Sequence, residues 1–293
     1  MNSTNTYEEH NDVECGDFSK ILIFNNKTFD NPILSEYMKG RTKIYNLGSG
    51  PSFETVEPTD DNFIICQNHA LLAQKKCDLF VFGDLAILQE PNLLPLLSNV
   101  KFILVHAPLH HWGPVEPEYD IPFIIRGTKK YFNGYYIFYS AYYNLKTYFE
   151  PHIKPLYMNL DINYYSDIVA TTELTFPQGH IISTVFMFLC LFKYIKKNAI
   201  PTTKASYKKL TWIDETKYVV HYYGILGEKK GDEGRPYNEE IIKLRDPELL
   251  QYSSLFIKSK KALFSGTDLM LSFKTHILDL FNYYSKNIEF TLH

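Results

Sequence analysis

Short runs of apolar residues, each bounded by polar residues or glycine, dominate the first half of the chain. They predict six β-strands, at residues 20–25, 43–47, 63–66, 78–82, 101–105 and 121–125. Segments with helical spacing, at residues 69–75 and 91–97, separate several of these strands. Wholly apolar strands that alternate with helices are typical of a parallel sheet. The pattern therefore predicts an α/β fold with a Rossmann-like, mostly parallel sheet and helices on both of its faces.

The second half of the chain has fewer strands and a region rich in tyrosine. Helices are predicted at residues 181–197, 247–260 and 267–284, and strands at residues 217–223 and 288–292. Residues 129–176 carry many of the 23 tyrosines, and we expect them to form a lid or small subdomain. Residues 1–18 are polar and acidic, which is typical of a disordered tail. We therefore expect a single domain over residues 19–293.

Composition and the pattern of the first residues indicate where the protein is located and which classes of partner it binds. A formal net charge of -3 gives no general reason to expect a nucleic-acid partner. The four cysteines have no metal-ligand spacing, so we expect them to be reduced, as in a cytoplasmic protein. The first residues do not form a signal peptide, and the longest apolar run, residues 181–192, is too short to cross a bilayer. The sequence leaves open whether the protein contacts the inner face of a membrane and whether it forms homo-oligomers.

The most informative stretch is the glycine loop, Gly48-Ser49-Gly50-Pro51-Ser52, which directly follows a predicted strand. Two glycines at this spacing allow a sharp backbone turn, and Pro51 with Ser52 suits the first turn of a helix. The unpaired N–H groups of a helix N-terminus attract phosphate. The loop thus predicts a nucleotide site, although it lacks the full dinucleotide-binding pattern and is not a P-loop. The alternative is a tight turn that binds no ligand.

Other polar residues follow predicted strands, where ligands of parallel sheets bind. Asn68 can bond a base or ribose, or can cap a turn. Asp84 can hold a metal, a ribose or a sugar hydroxyl, or can cap a helix. His111 lies in a cluster with His106 and His110 that would suit acid–base chemistry or metal ligation, or would form a structured loop. There is no Asp-x-Asp motif, so we predict no metal site.

Three residues at the start of the long predicted helix add to this set. His180 precedes the helix, where the helix dipole would favour a neutral imidazole able to act as a base. Ser183 and Thr184 lie in its first turn, where hydroxyl and amide groups can meet an anion. The alternative for each of them is a capping or packing role.

Two motifs together resemble a known family. The first is Asn46-Leu47 with the glycine loop, and the second is the apolar strand that ends in Asn68, followed by Lys75-Lys76-Cys77 and another strand. They are similar to motifs of the bacterial sialyltransferases that act on lipooligosaccharide and use a CMP-activated sialic acid. The resemblance implies a GT-A-like fold with a lid and no metal requirement. It also implies CMP contacts by the glycine loop and Asn68, with Asp84 close to a further contact and Ser183 and Thr184 at the matching helix start.

The resemblance leaves the catalytic base open. The family carries an Arg before the long helix, where this chain has His180, and a catalytic His before the last helix, where residues 224–275 contain no histidine. His180, His111 and Asp268 are therefore alternative candidates for the base. We expect a metal-independent glycosyltransferase, without a cofactor, that moves sialic acid or a related keto-sugar from its CMP donor to a glycan acceptor. The alternative is an inactive nucleotide- or glycan-binding protein of the same fold.

Overall fold

The computed structural model describes part of the chain. The described residues are 18–22, 30–82, 87, 90–106, 124–140, 158–159, 183, 187, 191, 194–196, 210–212, 216–224, 238–245 and 288–293. Residues 1–17 of the predicted tail lie outside them, as do the helices predicted at residues 247–260 and 267–284.

A parallel sheet forms the centre of the described structure. Its strands are β1 (Lys43–Leu47), β2 (Asn62–Gln67), β3 (Cys77–Phe82), β4 (Val100–His106), β5 (Tyr135–Ser140), β6 (Met158–Asn159), β9 (Tyr218–Tyr223) and β10 (Ile288–Leu292). The strand order is β10-β9-β1-β2-β3-β4-β5-β6, and every neighbouring pair is parallel. The prediction of an α/β fold with a mostly parallel sheet is confirmed.

Four strands lie where the apolar runs predicted them, because those runs fill the middle of the sheet. All six residues of β2 are buried, and Ile44 and Leu47 of β1 are fully buried. A strand buried on both faces has no polar side to mark it, so the continuous apolar run is itself the signal. The strands predicted at residues 217–223 and 288–292 also form, as β9 and β10.

The prediction for residues 121–125 is wrong where the structure describes it. Residues 124–128 form a helical turn, α3, and the next strand is β5 inside the tyrosine-rich stretch. Gly134 permits this pairing, because a Cβ there would lie 2.1 Å from the backbone oxygen of Lys101. Residues 135–140 thus belong to the main sheet and not to a separate lid. Apart from residues 158–159, which form β6, the rest of the predicted lid after residue 140 lies outside the described residues.

Two further sequence predictions need correction. The pattern predicts residues 194–196 at the end of the long helix, but they form a strand, β7 (Tyr194–Lys196), antiparallel to β8 (Leu210–Trp212). The described residues 183, 187 and 191 of that helix are helical and buried. Of the strand predicted at residues 20–25, only residues 20–22 are described. Lys20 ends a 3-10 turn at Phe18–Lys20, and Ile21 forms an isolated bridge with Tyr136.

Helices pack against the sheet. On one face lie α2 (Ala70–Gln74) and α4 (Glu239–Arg245), over a core that includes Leu47, Ile64 and Phe80. α1 (Pro32–Tyr37) begins at Asn31, whose side chain caps the amides of Ile33 and Leu34. The segment predicted as a helix at residues 91–97 forms a 3-10 helix at Leu94–Asn99. Of the helices in this described part, none is both long and apolar enough for a membrane crossing.

The order in which the strands are connected reverses beside β1. From β1 the chain adds β2 to β6 on one side, and then returns to place β9 against the other side of β1. In open parallel sheets, ligands bind beyond the carboxyl ends of the strands, where the strand order reverses. The rim formed by the carboxyl ends of these strands, which we call the carboxyl edge, is therefore the place to look for a site.

Candidate functional site

The glycine loop closes onto the end of β9 at the carboxyl edge. The Gly48 amide donates to the Tyr223 carbonyl at 2.8 Å, and the Gly50 amide donates to the Gly224 carbonyl at 2.7 Å. The Gly224 amide in turn donates to Ser52 Oγ at 3.1 Å. The loop that the sequence singled out thus lies at the reversal of the strand order, and it is bonded there to another strand end.

Steric contact explains why glycines occupy both sides of this junction. A Cβ at Gly50 would lie 2.5 Å from the Gly224 carbonyl oxygen, and a Cβ at Gly224 would lie 2.1 Å from the Gly48 oxygen. Gly224 also has a φ of +68°, which L residues with side chains rarely adopt. Backbone packing between β1 and β9 therefore accounts for Gly50 and Gly224 without a ligand.

The helix expected to begin at Pro51 and Ser52 does not form. These residues lie in a turn that the Phe53 amide closes by donating to the Gly50 carbonyl at 3.0 Å, and residues 53–59 are not helical. The buried Phe53 side chain and paired bonds between Val56 and Gln74 hold the segment in an extended path. The prediction of a helix N-terminus here is wrong, because core packing and side-chain bonds hold the chain in another path.

The other groups of the glycine loop either contact the start of α4 or lie near the surface. The Ser49 carbonyl accepts from the Asn238 amide at 2.9 Å, and the Asn238 side chain accepts from the amides of Glu240 and Ile241 at the start of α4. Ser49 and Ser52 are half-buried, whereas Pro51 is exposed. The loop therefore offers the Ser49 side chain and the Pro51 ring toward solvent, while its two glycine amides and Ser52 Oγ take part in the junction with Tyr223 and Gly224.

Asn68, at the end of β2, has the most unusual surroundings of the predicted site residues. Its φ is 48°, in the left-handed region, and its amide donates to the Val81 carbonyl at 3.0 Å. Its Oδ1 atom is buried and has no hydrogen-bond partner in the described structure. A buried acceptor without a partner is costly, and strained backbone conformations concentrate at functional sites. Asn68 is thus a strong candidate for a ligand contact.

The neighbouring His69 belongs to a cluster that the sequence does not reveal. Its Nε2 lies 3.1 Å from Glu90 Oε1, and the same oxygen accepts from Arg245 Nε of α4 at 3.1 Å. All three side chains are largely shielded from solvent. The signal available in the sequence was the position of His69 directly after a strand end, but its partners are too far along the chain to be recognised.

Ser183 lies beneath the carboxyl edge rather than on it. It is fully buried, and its Oγ accepts from Asn46 Nδ2 at 2.8 Å and from Gln67 Nε2 at 2.6 Å. Gln67 Nε2 also donates to Asn46 Oδ1 at 2.6 Å. This network bonds the start of the long helix to β1 and β2, so Ser183 has a structural role whatever its part in binding.

Several predicted residues lie outside the described part of the chain. They are Asp84, His111, His180, Thr184 and Asp268. The structure therefore neither brings them to the carboxyl edge nor places them away from it. Within the described residues, no group of three or more His, Cys, Asp or Glu side chains is arranged to hold a metal ion.

Aromatic and imidazole rings of β1 and β9 stack on one another and on His293, which follows β10. Tyr45 stacks on His221, and Tyr223 stacks on His293 with an interplanar angle of 1°. Burial raises the pKa of the Tyr223 hydroxyl, with smaller contributions from Glu54 and Tyr45. Tyr223 therefore stays protonated at neutral pH and remains a hydrogen-bond donor.

Comparison with known proteins identifies no relative for this arrangement. No protein-family model, no curated protein and no solved structure matches the chain.

Proposed function

We propose that the protein is a glycosyltransferase that moves sialic acid or a related keto-sugar from a CMP donor to a glycan acceptor. Three observations support the proposal. The parallel sheet reverses its strand order beside β1, the glycine loop and Asn68 both lie at strand ends on its carboxyl edge, and their sequence motifs resemble those of sialyltransferases that use CMP-sialic acid. The buried acceptor of Asn68 is the observation that carries most weight.

Asn68 is suited to read a cytosine base. A cytosine ring presents an amino donor at the position where uracil presents a carbonyl acceptor. With the Asn68 amide oriented as in the structure, the unpartnered Oδ1 would accept from that amino group, whereas uracil would place a second acceptor against it. The side-chain acceptor thus provides both affinity for a cytidine nucleotide and discrimination against a uridine nucleotide.

The phosphate contact differs from the one expected from the sequence. Because the amides of Gly48 and Gly50 already donate to β9, they do not supply the donors for a phosphate. The Ser49 and Ser52 side chains are half-buried, and Ser52 Oγ already accepts from the Gly224 amide. We assign a phosphate or ribose contact to the Ser49 side chain, with Pro51 as the apolar wall of the site.

The reaction itself needs a leaving group and a base. The acceptor hydroxyl oxygen forms a bond to the anomeric carbon, the bond from that carbon to the CMP phosphate breaks, and CMP leaves with the electron pair. The hydroxyl proton passes to a base, for which His180, His111 and Asp268 remain alternatives. The proposed reaction uses no metal ion.

Ligand-induced thermal stabilisation tests the nucleotide specificity, because a ligand that binds only the folded state raises its stability. We expect CMP to raise the melting temperature, and UMP, GDP and S-adenosylmethionine to leave it unchanged. Incubation with CMP-sialic acid and with the corresponding CMP-Kdo should then release CMP faster than the uncatalysed reaction. The absence of any CMP-dependent shift would refute the proposal.

A binding protein without catalytic activity is the second candidate. It is favoured by the lack of histidine in residues 224–275, the segment where the resembling family carries its catalytic imidazole. Release of CMP distinguishes the two candidates. A binding protein would show the CMP-dependent rise in melting temperature but would release no CMP from either donor.

A further inference from the structure

Two histidines link the end of β10, a strand at one edge of the sheet, to its neighbour β9. His221 Nδ1 lies 3.0 Å from His293 Nε2, and the centres of the two rings are 5.2 Å apart. The two nitrogens therefore face each other between the rings. This distance fits an N–H···N hydrogen bond, in which one imidazole donates and the other accepts. We call these two residues the histidine pair.

Stacking holds both imidazole rings in place. Tyr45 stacks on the His221 ring at 4.9 Å between ring centres, and Tyr223 stacks on the His293 ring at 4.0 Å. The His293 backbone amide also donates to the Tyr222 carbonyl at 3.0 Å. Each imidazole ring is therefore stacked on one tyrosine.

The hydrogen bond tolerates one added proton but not two. A neutral pair has one N–H and one lone pair at the contact, and a singly protonated pair keeps that arrangement. When both rings are protonated, two N–H groups and two positive charges face each other. We propose that the histidine pair is a pH-sensitive latch, which is closed at neutral pH and releases the end of β10 when both imidazoles are protonated.

Most of the groups around the pair lower the pKa of His221. Burial contributes most to lowering the pKa of His221, and the charges of His293 and of Lys43 on β1 lower it further. Glu289 on β10 acts in the opposite direction. The remaining rings against the pair are those of Tyr45 and Tyr223. The closed latch is therefore the stable state at neutral pH.

The latch lies next to the candidate site but does not depend on what binds there. Tyr223, whose ring stacks on His293, also accepts the Gly48 amide through its carbonyl, and Gly224 follows it. Release of the β10 end would remove the ring that covers Tyr223. The glycine loop would then lose part of its support on the β9 side.

Imidazole titration by NMR on the full chain tests the proposal, with His221→Phe and His293→Phe as variants that keep an aromatic ring for stacking. We expect the pKa of His221 to lie below its ordinary value in the wild type, because of burial and of the neighbouring His293. In His293→Phe the charge of His293 is missing, so the pKa of His221 should rise. An unchanged pKa of His221 in His293→Phe would overturn the proposal.

Amide hydrogen exchange of His293 gives a second readout that does not depend on assigning both rings. After correction for the intrinsic rate, we expect its protection to fall about tenfold between neutral pH and about pH 5 in the wild type. In His221→Phe the bond is missing at every pH, so the corrected protection should stay nearly constant. Equal protection at both pH values in the wild type would contradict the latch.

Discussion

The backbone of Gly50 lies directly against that of Gly224, and its amide donates to the Gly224 carbonyl at 2.7 Å. This contact joins the loop after β1 to the end of β9, at the point where the strand order of the sheet reverses. The close approach leaves no room for a side chain on either residue. The glycine loop is therefore first a structural junction, and any ligand must use the groups that the junction leaves exposed.

Replacement of Gly224 by alanine should be strongly destabilising. The new Cβ would combine the left-handed φ of +68° with a contact of 2.1 Å to the Gly48 oxygen. We expect a loss of about 3 kcal/mol in the free energy of unfolding, measured by chemical denaturation. Gly40→Ala is a matched control, because its φ is +81° but no atom lies within 4 Å of the new Cβ. It should cost only about 1 kcal/mol, and equal losses in the two variants would contradict the steric argument.

Replacement of Ser183 by alanine tests the buried network beneath the carboxyl edge. The change removes the oxygen that accepts from Asn46 and from Gln67, and leaves their amide groups short of a partner in a fully buried site. We expect a loss of about 1–3 kcal/mol in the free energy of unfolding. Ser98→Ala should change it by less than about 0.5 kcal/mol, since the Ser98 bond to the Pro95 carbonyl is exposed.

Replacement of Asn68 by glycine should raise stability while it weakens nucleotide binding. Glycine adopts the observed φ of 48° without strain, and the change removes the buried unpartnered Oδ1. We expect a gain of about 0.5–1 kcal/mol in the free energy of unfolding. A loss of stability on this change would show that Asn68 serves the fold, and the assignment of its acceptor to a ligand would then fail.

Stability should fall on mild acidification because of His221. Its pKa is lowered in the folded state, mainly by burial, so the unfolded chain takes up a proton at higher pH than the folded one. The contribution is therefore complete above the ordinary histidine pKa of about 6.5 and declines as the pH drops below it. Thermal unfolding from neutral pH to about pH 5 should show a smaller loss in His221→Phe than in the wild type. The same pH dependence in both proteins would contradict this assignment.

The central strands could be predicted from the sequence because burial on both faces makes each of them one continuous apolar run, as in β2. β5 could not, since its tyrosines fit several environments and its position depends on Gly134 passing close to Lys101. The path after Ser52 could not be predicted either, because it depends on burial of Phe53 and on the bonds between Val56 and Gln74. The position of Asn68 at a strand end was visible in the sequence, whereas the link from His69 through Glu90 to Arg245 was not.

The most direct test of the central claim is a comparison of CMP and UMP binding to the wild type and to Asn68→Gly by titration calorimetry. The account predicts saturable binding of CMP to the wild type, at least about tenfold weaker binding of UMP, and loss of this preference in Asn68→Gly. Gly40→Ala should bind like the wild type, since Gly40 is not part of the candidate site. Equal affinity of the wild type for the two nucleotides, or unchanged CMP preference in Asn68→Gly, would contradict the claim that the buried Asn68 acceptor reads a cytidine nucleotide.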